Sequence, residues 1–359
     1  MSLKIKISII AICFALVAAV CIGFVFASPN ETVNMKGMIN YEVPKITITA
    51  SPNDSNLGST NGSGDYSIGD TINLSATRSG SNSFLAWATS TDPNTMEILS
   101  TSTSYSFELT EDSPTTYYAL FNSTTTIEQT FEDLIYTFYN EAGLAEITGT
   151  DSSFQGGDYT IPPVVSTTAG AYKTYSIGQN AFQNCSNLTS VTIPDGIFQI
   201  REGTFSDCSN LEAFYGEGNS YYSIDENKAL IVNGGTIIRA YAAGNAATSY
   251  SIPESVTYVA YRSFYGSTNL TSVTIPDGVT NINVSAFYGC SGLTSVTIPS
   301  SITSLDEYAF YGCTSLGSVT FEGGGSVADN RKLLFFGLRR FIFYNNSRSC
   351  HIDWKQCFR

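Results

Sequence analysis

A single histidine limits the chemistry open to this chain of 359 residues. Acyl or thiol catalysis by a Ser-His-Asp or Cys-His set needs an imidazole in a shaped site. His351 lies only eight residues from the end, within a segment unlike the rest. Metal ligation by cysteine needs close pairs. Cys185 and Cys208, and Cys290 and Cys313, are instead 23 residues apart. They read as small buried hydrophobes, with disulfides between neighbouring turns as the minority alternative. Paired carboxylates could hydrolyse glycosides. Asp195, Asp277 and Asp306, however, occupy turn-like contexts that turn chemistry explains. Gly323-Gly324-Gly325 lacks the Lys-Ser/Thr that a phosphate loop requires. The expectation is a protein that is not an enzyme and uses no cofactor and no metal.

Composition agrees. Charged residues make up 13% of the chain, and its formal net charge is −14. Nucleic acid and anionic membrane surfaces are therefore poor partners. Ser, Thr, Asn, Gly and Tyr fill the gap, which suits β-structure with many turns. Lys4 and Lys6 precede an uncharged apolar run from Ile7 to Ala27. This is a signal peptide cleaved after Ala27, or an anchor long enough to span a bilayer. Either reading places the rest outside the cytoplasm, secreted or at the cell surface, with membrane contact only through residues 1–27 if they are retained.

The elements that would position any site come from a repeat. Phe264, Phe287 and Phe310 recur every 23 residues, as do Leu270, Leu293 and Leu316. Phe182 and Phe205 keep the same step. A turn of this length cannot bury its apolar side alone, but stacked turns share one core. Within a turn, Leu270, Val273 and Ile275 alternate inward on a short strand, and Thr274 faces outward. Pro276 ends the strand and Asp277-Gly278 turns the chain. The fold class is mainly β: a small β module followed by a solenoid with 23-residue turns. The expected organisation is a β module at 44–122 with Trp87 in its core, a solenoid at 130–322 with a cap at 130–172, a β-hairpin insertion at 221–250, and an atypical tail at 323–359. From residue 331 the tail carries seven basic residues against Asp353 alone. It reads as a gene end of different origin, or as a native basic tail that docks on an acidic surface.

The run from Ile177-Gly178-Gln179-Asn180-Ala181-Phe182 through Cys185, Leu188, Val191, Ile193 and Pro194 resembles the BspA-like leucine-rich repeats, and four further turns follow it. Residues Gly64-Asp65-Tyr66-Ser67-Ile68-Gly69-Asp70, Phe84-Leu85-Ala86-Trp87 and Thr115–Phe121 resemble divergent internalin B-repeats. These resemblances imply a leucine-rich-repeat solenoid, carried with a spacer or adhesive unit on a surface protein.

Two columns are the candidate binding residues. Thr192, Thr274, Thr297 and Thr320 form a hydroxyl-rich column on the strand-bearing face, flanked by Thr189, Thr271, Thr294 and by Ser190, Ser272, Ser295 and Ser318. It is either a docking surface or ordinary outward-facing strand threonine. Tyr265, Tyr288 and Tyr311 follow each core phenylalanine and could stack on sugars or anchor an interface. The expected partner is an extracellular protein or a glycan. A self-associating envelope component and a non-catalytic carbohydrate-binding accessory protein are the alternatives.

Overall fold

The computed structural model describes residues 45–322 together with the backbone strands Phe341–Asn345 and Arg348–Ile352. The signal segment at 1–27 and the rest of the basic tail lie outside the described residues.

Ile72, Leu74 and Ala76 alternate inward along the strand Thr71–Arg78, as a half-buried strand requires. That strand joins Gly58–Asn61 and Ser104–Glu108 in a three-stranded sheet. A five-stranded sheet runs Gly64–Tyr66, Ile46–Pro52, Thr116–Asn122, Ser83–Ala88, Ile98–Ser100. Ile48, Ile72, Leu74, Trp87, Tyr117 and Phe121 share one buried cluster from these two sheets. The Phe121 ring lies where a Cβ on Gly58 would sit, 2.4 Å from its nearest atom, so the ring needs glycine there.

Beyond residue 126 the chain winds. Ile127–Phe131, Leu134–Tyr139 and Leu144–Thr150 make an antiparallel meander. Its last strand pairs in parallel with Gly170–Ile177, which pairs in parallel with Gln199–Ile200. On the strand-bearing face, one parallel ladder joins Gly157–Thr160, Leu188–Thr192 and Ala213–Tyr215. A second joins Ser249–Ser251, Ser272–Thr274, Ser295–Ile298 and Ser318–Phe321. This second ladder continues to Phe341–Asn345 and then turns back through the antiparallel strand Arg348–Ile352. The sequence places the end of the solenoid at 322, but the backbone resumes the ladder within the tail, at Phe341–Asn345.

The turns keep their shape through two columns of left-handed residues. Asn184, Asp207, Gly266, Gly289 and Gly312 follow each core phenylalanine by two positions, and all have positive φ. Only Asn, Asp and Gly occupy this column, the residue types that enter that region at least cost. Gly312 also lies 3.5 Å from Gly289 through its would-be Cβ, so the turns touch backbone to backbone. The second column is Asn180, Gly203, Arg262, Ser285 and Tyr308.

Residues 222–240, where a hairpin insertion was expected, form three antiparallel strands, Tyr222–Ile224, Leu230–Val232 and Ile237–Ala240. The last of these pairs in parallel with Tyr258–Val259 and so already belongs to the solenoid. The interruption is therefore narrower than 221–250. Tyr241, 23 residues before Phe264, takes the phenylalanine place, with its ring stacked at 5.3 Å and 22°.

The N-terminal sheets are not tethered loosely. Ala86, Ala88, Met96, Ile98 and Leu120 form one buried cluster with Ala142, Leu144 and Tyr175. Asn53 Nδ2 donates to the Glu141 carbonyl at 2.7 Å, and Ser123 Oγ donates to Glu141 Oε1 at 2.8 Å.

Candidate functional site

Each threonine of the expected column ends up on a strand, but not in one array. Thr192 sits in the first ladder, between Thr160 and Tyr215. Thr274, Thr297 and Thr320 sit in the second, where Thr297 and Thr320 are in register. The interruption after residue 215 separates the two ladders. Thr274 and Thr297 are exposed, whereas Thr192 and Thr320 are half-buried. The flanking hydroxyls are largely spent within the scaffold. Thr294 Oγ1 donates to the Thr271 carbonyl at 3.0 Å, and Thr271 Oγ1 donates to the Thr248 carbonyl at 2.9 Å. Thr189 and Ser190 both donate to Asp158 Oδ1, at 2.9 and 2.7 Å, and these bonds hold the Asp158 carboxyl below its usual range. A groove of about 460 Å³ remains, in which Thr274 and Thr297 meet Glu254, Asp277 and Glu322.

The tyrosine column is a closed stack. Tyr265 and Tyr288 lie 4.7 Å apart at 3°, and Tyr288 and Tyr311 lie 4.7 Å apart at 14°. Arg262 caps the stack, 4.9 Å over the Tyr265 ring. Both faces of Tyr288 are thus covered by its neighbours. A sugar that needs a free aromatic face finds none there. The structure brings the three tyrosines together as a ladder that presents ring edges.

The cysteines stack inward. Cys208, Cys290 and Cys313 each donate a thiol hydrogen bond to the carbonyl of the phenylalanine one turn back, Phe182, Phe264 and Phe287, at 3.0, 3.1 and 3.2 Å. All are free, as is Cys185, and no inter-turn disulfide joins the four.

Two features were not foreseen. Glu146 is buried and accepts hydrogen bonds from Tyr139 Oη at 2.9 Å, Ser176 Oγ at 3.2 Å and Arg201 Nε at 2.9 Å. Burial, and then the Glu146 charge, push Tyr139 up to about 12. The carboxylate is saturated by these donors and pins the meander to the first turns. Nothing in the spacing of Tyr139, Glu146, Ser176 and Arg201 signals their meeting. The second feature is a groove of about 770 Å³ between the N-terminal sheets and the solenoid, lined among others by Ile98, Leu99, Tyr105, Lys173, Phe198 and Asn219. Its two walls come from distant parts of the chain. Among the described residues, no group of three or more His, Cys, Asp or Glu side chains is placed to hold a metal ion.

The 23-residue turns, the two ladders and the buried phenylalanine and cysteine columns define a leucine-rich-repeat solenoid. The chain matches the BspA type leucine rich repeat region in six copies, over residues 164–228 and 236–351. It belongs to that family. The gap between the matched segments falls within the 222–240 strands. Among solved structures, a leucine-rich repeat protein from Eubacterium ventriosum is 20% identical, with 62% of this chain and 79% of that one covered and a TM-score of 0.44. A leucine rich cell surface protein from Faecalibacterium prausnitzii is 26% identical, with 55% of each chain covered and a TM-score of 0.38. A leucine-rich repeat protein from Bacteroides ovatus is 24% identical, with 60% and 70% covered and a TM-score of 0.37. No curated protein matches the chain.

Proposed function

We propose that this is an exported, non-catalytic adhesion protein that binds an extracellular protein through the strand-bearing face of its solenoid. The observation that carries the reading is the groove holding Thr274 and Thr297, with Glu254, Asp277 and Glu322 around it. A face made of short parallel strands is rigid, so docking on it costs little ordering. Exposed hydroxyls and carboxylates favour a partner surface rich in Lys and Arg, and the chain's net charge of −14 steers such a partner in. The signal-like segment at 1–27 supports export. Glycan binding is the lesser reading, because the tyrosine faces are occupied by one another.

The test screens the purified chain on arrays of extracellular proteins and glycans. The expected result is saturable, salt-weakened binding to a basic protein, lost in Thr274→Arg/Thr297→Arg and kept in Tyr288→Leu. Binding that needs Tyr288 and Tyr311 and ignores the threonines would favour the glycan reading. A concentration-dependent polymer without any foreign ligand would favour the self-associating envelope component.

A further inference from the structure

Nine buried side-chain nitrogen and oxygen atoms of the described residues have no hydrogen-bond partner within the protein. Native proteins leave few such atoms, and each calls for an explanation. Here they are not scattered. Six of the nine belong to Ser206, Arg239, Tyr241, Arg262 and Ser263, and these five residues line a single small cavity. Ser206, Tyr241 and Ser263 are 3%, 4% and 2% exposed, and the Arg239 side chain is 10% exposed.

The cavity lies where the repeat is interrupted. Ser206 belongs to the last turn before the interruption. Arg239 and Tyr241 belong to the first turn after it, and Arg262 and Ser263 to the next. Arg239 and Arg262 are 23 residues apart, so two guanidinium groups stand at equivalent places in successive turns. Arg262 is held in place by its left-handed backbone, φ 54°, and by the Tyr261 and Tyr265 rings at 5.1 and 4.9 Å. Arg239 is ion-paired with Glu202, whose Oε1 is 3.6 Å from Arg239 Nη1, too long for a hydrogen bond. The Glu202 side chain is 41% exposed and is not among the cavity's lining residues.

The donor chemistry selects the occupant. Arg239 Nε, Arg239 Nη1 and Arg262 Nε can only donate. The Ser206 and Ser263 hydroxyls can rotate to donate as well. A water molecule has two acceptor sites and two protons of its own to place, so it cannot serve this many donors. A spherical anion accepts from several donors at once and offsets two cations whose buried nitrogens are costly to leave unpaired. The cavity, about 10 Å³, holds one sphere of about water size. At that size a monatomic ion is favoured over phosphate, sulfate or a carboxylate.

We propose that this cavity is a halide site, filled by chloride, that joins the turns on either side of the interruption. Binding the folded chain alone, the ion raises stability by mass action.

Crystals of the full chain grown in bromide test the site directly. The expected result is one anomalous peak within hydrogen-bond distance of Arg239 Nε and Arg262 Nε. Thermal unfolding at constant ionic strength gives a second readout: Tm rises by several degrees, about 3–6 °C, as gluconate is replaced by chloride, and the rise is abolished in Arg262→Met. If Arg262→Met does not fold, the bromide peak in the unaltered chain decides alone. A cavity without an anomalous peak at saturating bromide, or a Tm equal in chloride and gluconate, overturns the proposal.

Discussion

The ring of Tyr241 stacks on the ring of Phe264 at 5.3 Å, and the two residues are one 23-residue step apart. The stack continues to Phe287 at 4.7 Å and on to Phe310 at 5.1 Å. Tyr241 is therefore the first ring of a four-ring column that runs through the core of the later turns.

Tyr241→Ala removes that first ring and leaves a cavity. It should cost about 3–5 kcal/mol, as for other buried aromatics. Tyr241→Phe keeps the stack and should change stability by less than about 1 kcal/mol in chloride. Chemical denaturation of the two variants checks this. Equal losses from both would mean that the hydroxyl, and not the ring, is what the column needs.

The fully buried thiols at Cys208, Cys290 and Cys313 should behave as inert packing groups. Burial raises the pKa of Cys185, Cys208 and Cys290, which starves them of the reactive thiolate. Under native conditions, alkylation at positions 185, 208, 290 and 313 should be at least about 100-fold slower than in denaturant, as an opening free energy of several kcal/mol implies. Mass spectrometry of the labelled peptides gives the rates. Rapid labelling at Cys290 in the folded chain would contradict the inward column.

The N-terminal sheets and the solenoid should melt together. Ile98, buried to 2% exposure, lies in the cluster that also holds Leu144 and Tyr175. Ile98→Asp would bury an unpaired carboxylate and cost about 3–5 kcal/mol. Calorimetry should show one transition for the unaltered chain and two for the variant. Two transitions in the unaltered chain would mean that the apolar contact does not couple the parts.

Alkali should unfold the protein. Burial pushes Tyr117, Tyr139, Tyr222 and Tyr241 from 10.0 up to about 12. The folded state thus holds protons that the unfolded chain releases first. Stability from these groups is whole below pH 10 and is lost as pH climbs towards 12. Circular dichroism against pH should fall across that window, together with tyrosinate absorbance. Tyrosines that ionise near pH 10 in a folded chain would refute the shifts.

Much of the solenoid was legible because Phe, Cys and Leu recur at one spacing, and a column of identical residues needs no structure to be seen. Tyr241 escaped because its turn carries Ala247 where the others have Leu270 or Leu293, so the frame was lost. The alignment of Tyr250-Ser251-Ile252-Pro253 with Val273-Thr274-Ile275-Pro276 held the signal. The threonine column was legible residue by residue. Its division into two ladders was not, because that depends on how the 222–240 strands interrupt the pairing. The seam between Ile98 and Leu144 was hidden for another reason. Ile98 opens a three-residue strand and Leu144 opens a run of four consecutive buried residues, and neither pattern says what each residue packs against.

Thr274 and Thr297 mark the proposed docking face. Hydrogen–deuterium exchange, with and without a protein ligand found on the arrays, tests it most directly. Exchange should slow along Ser272–Thr274 and Ser295–Ile298 and stay unchanged around Tyr265, Tyr288 and Tyr311. Slowed exchange at the tyrosine turns, with the two strands unchanged, would contradict it.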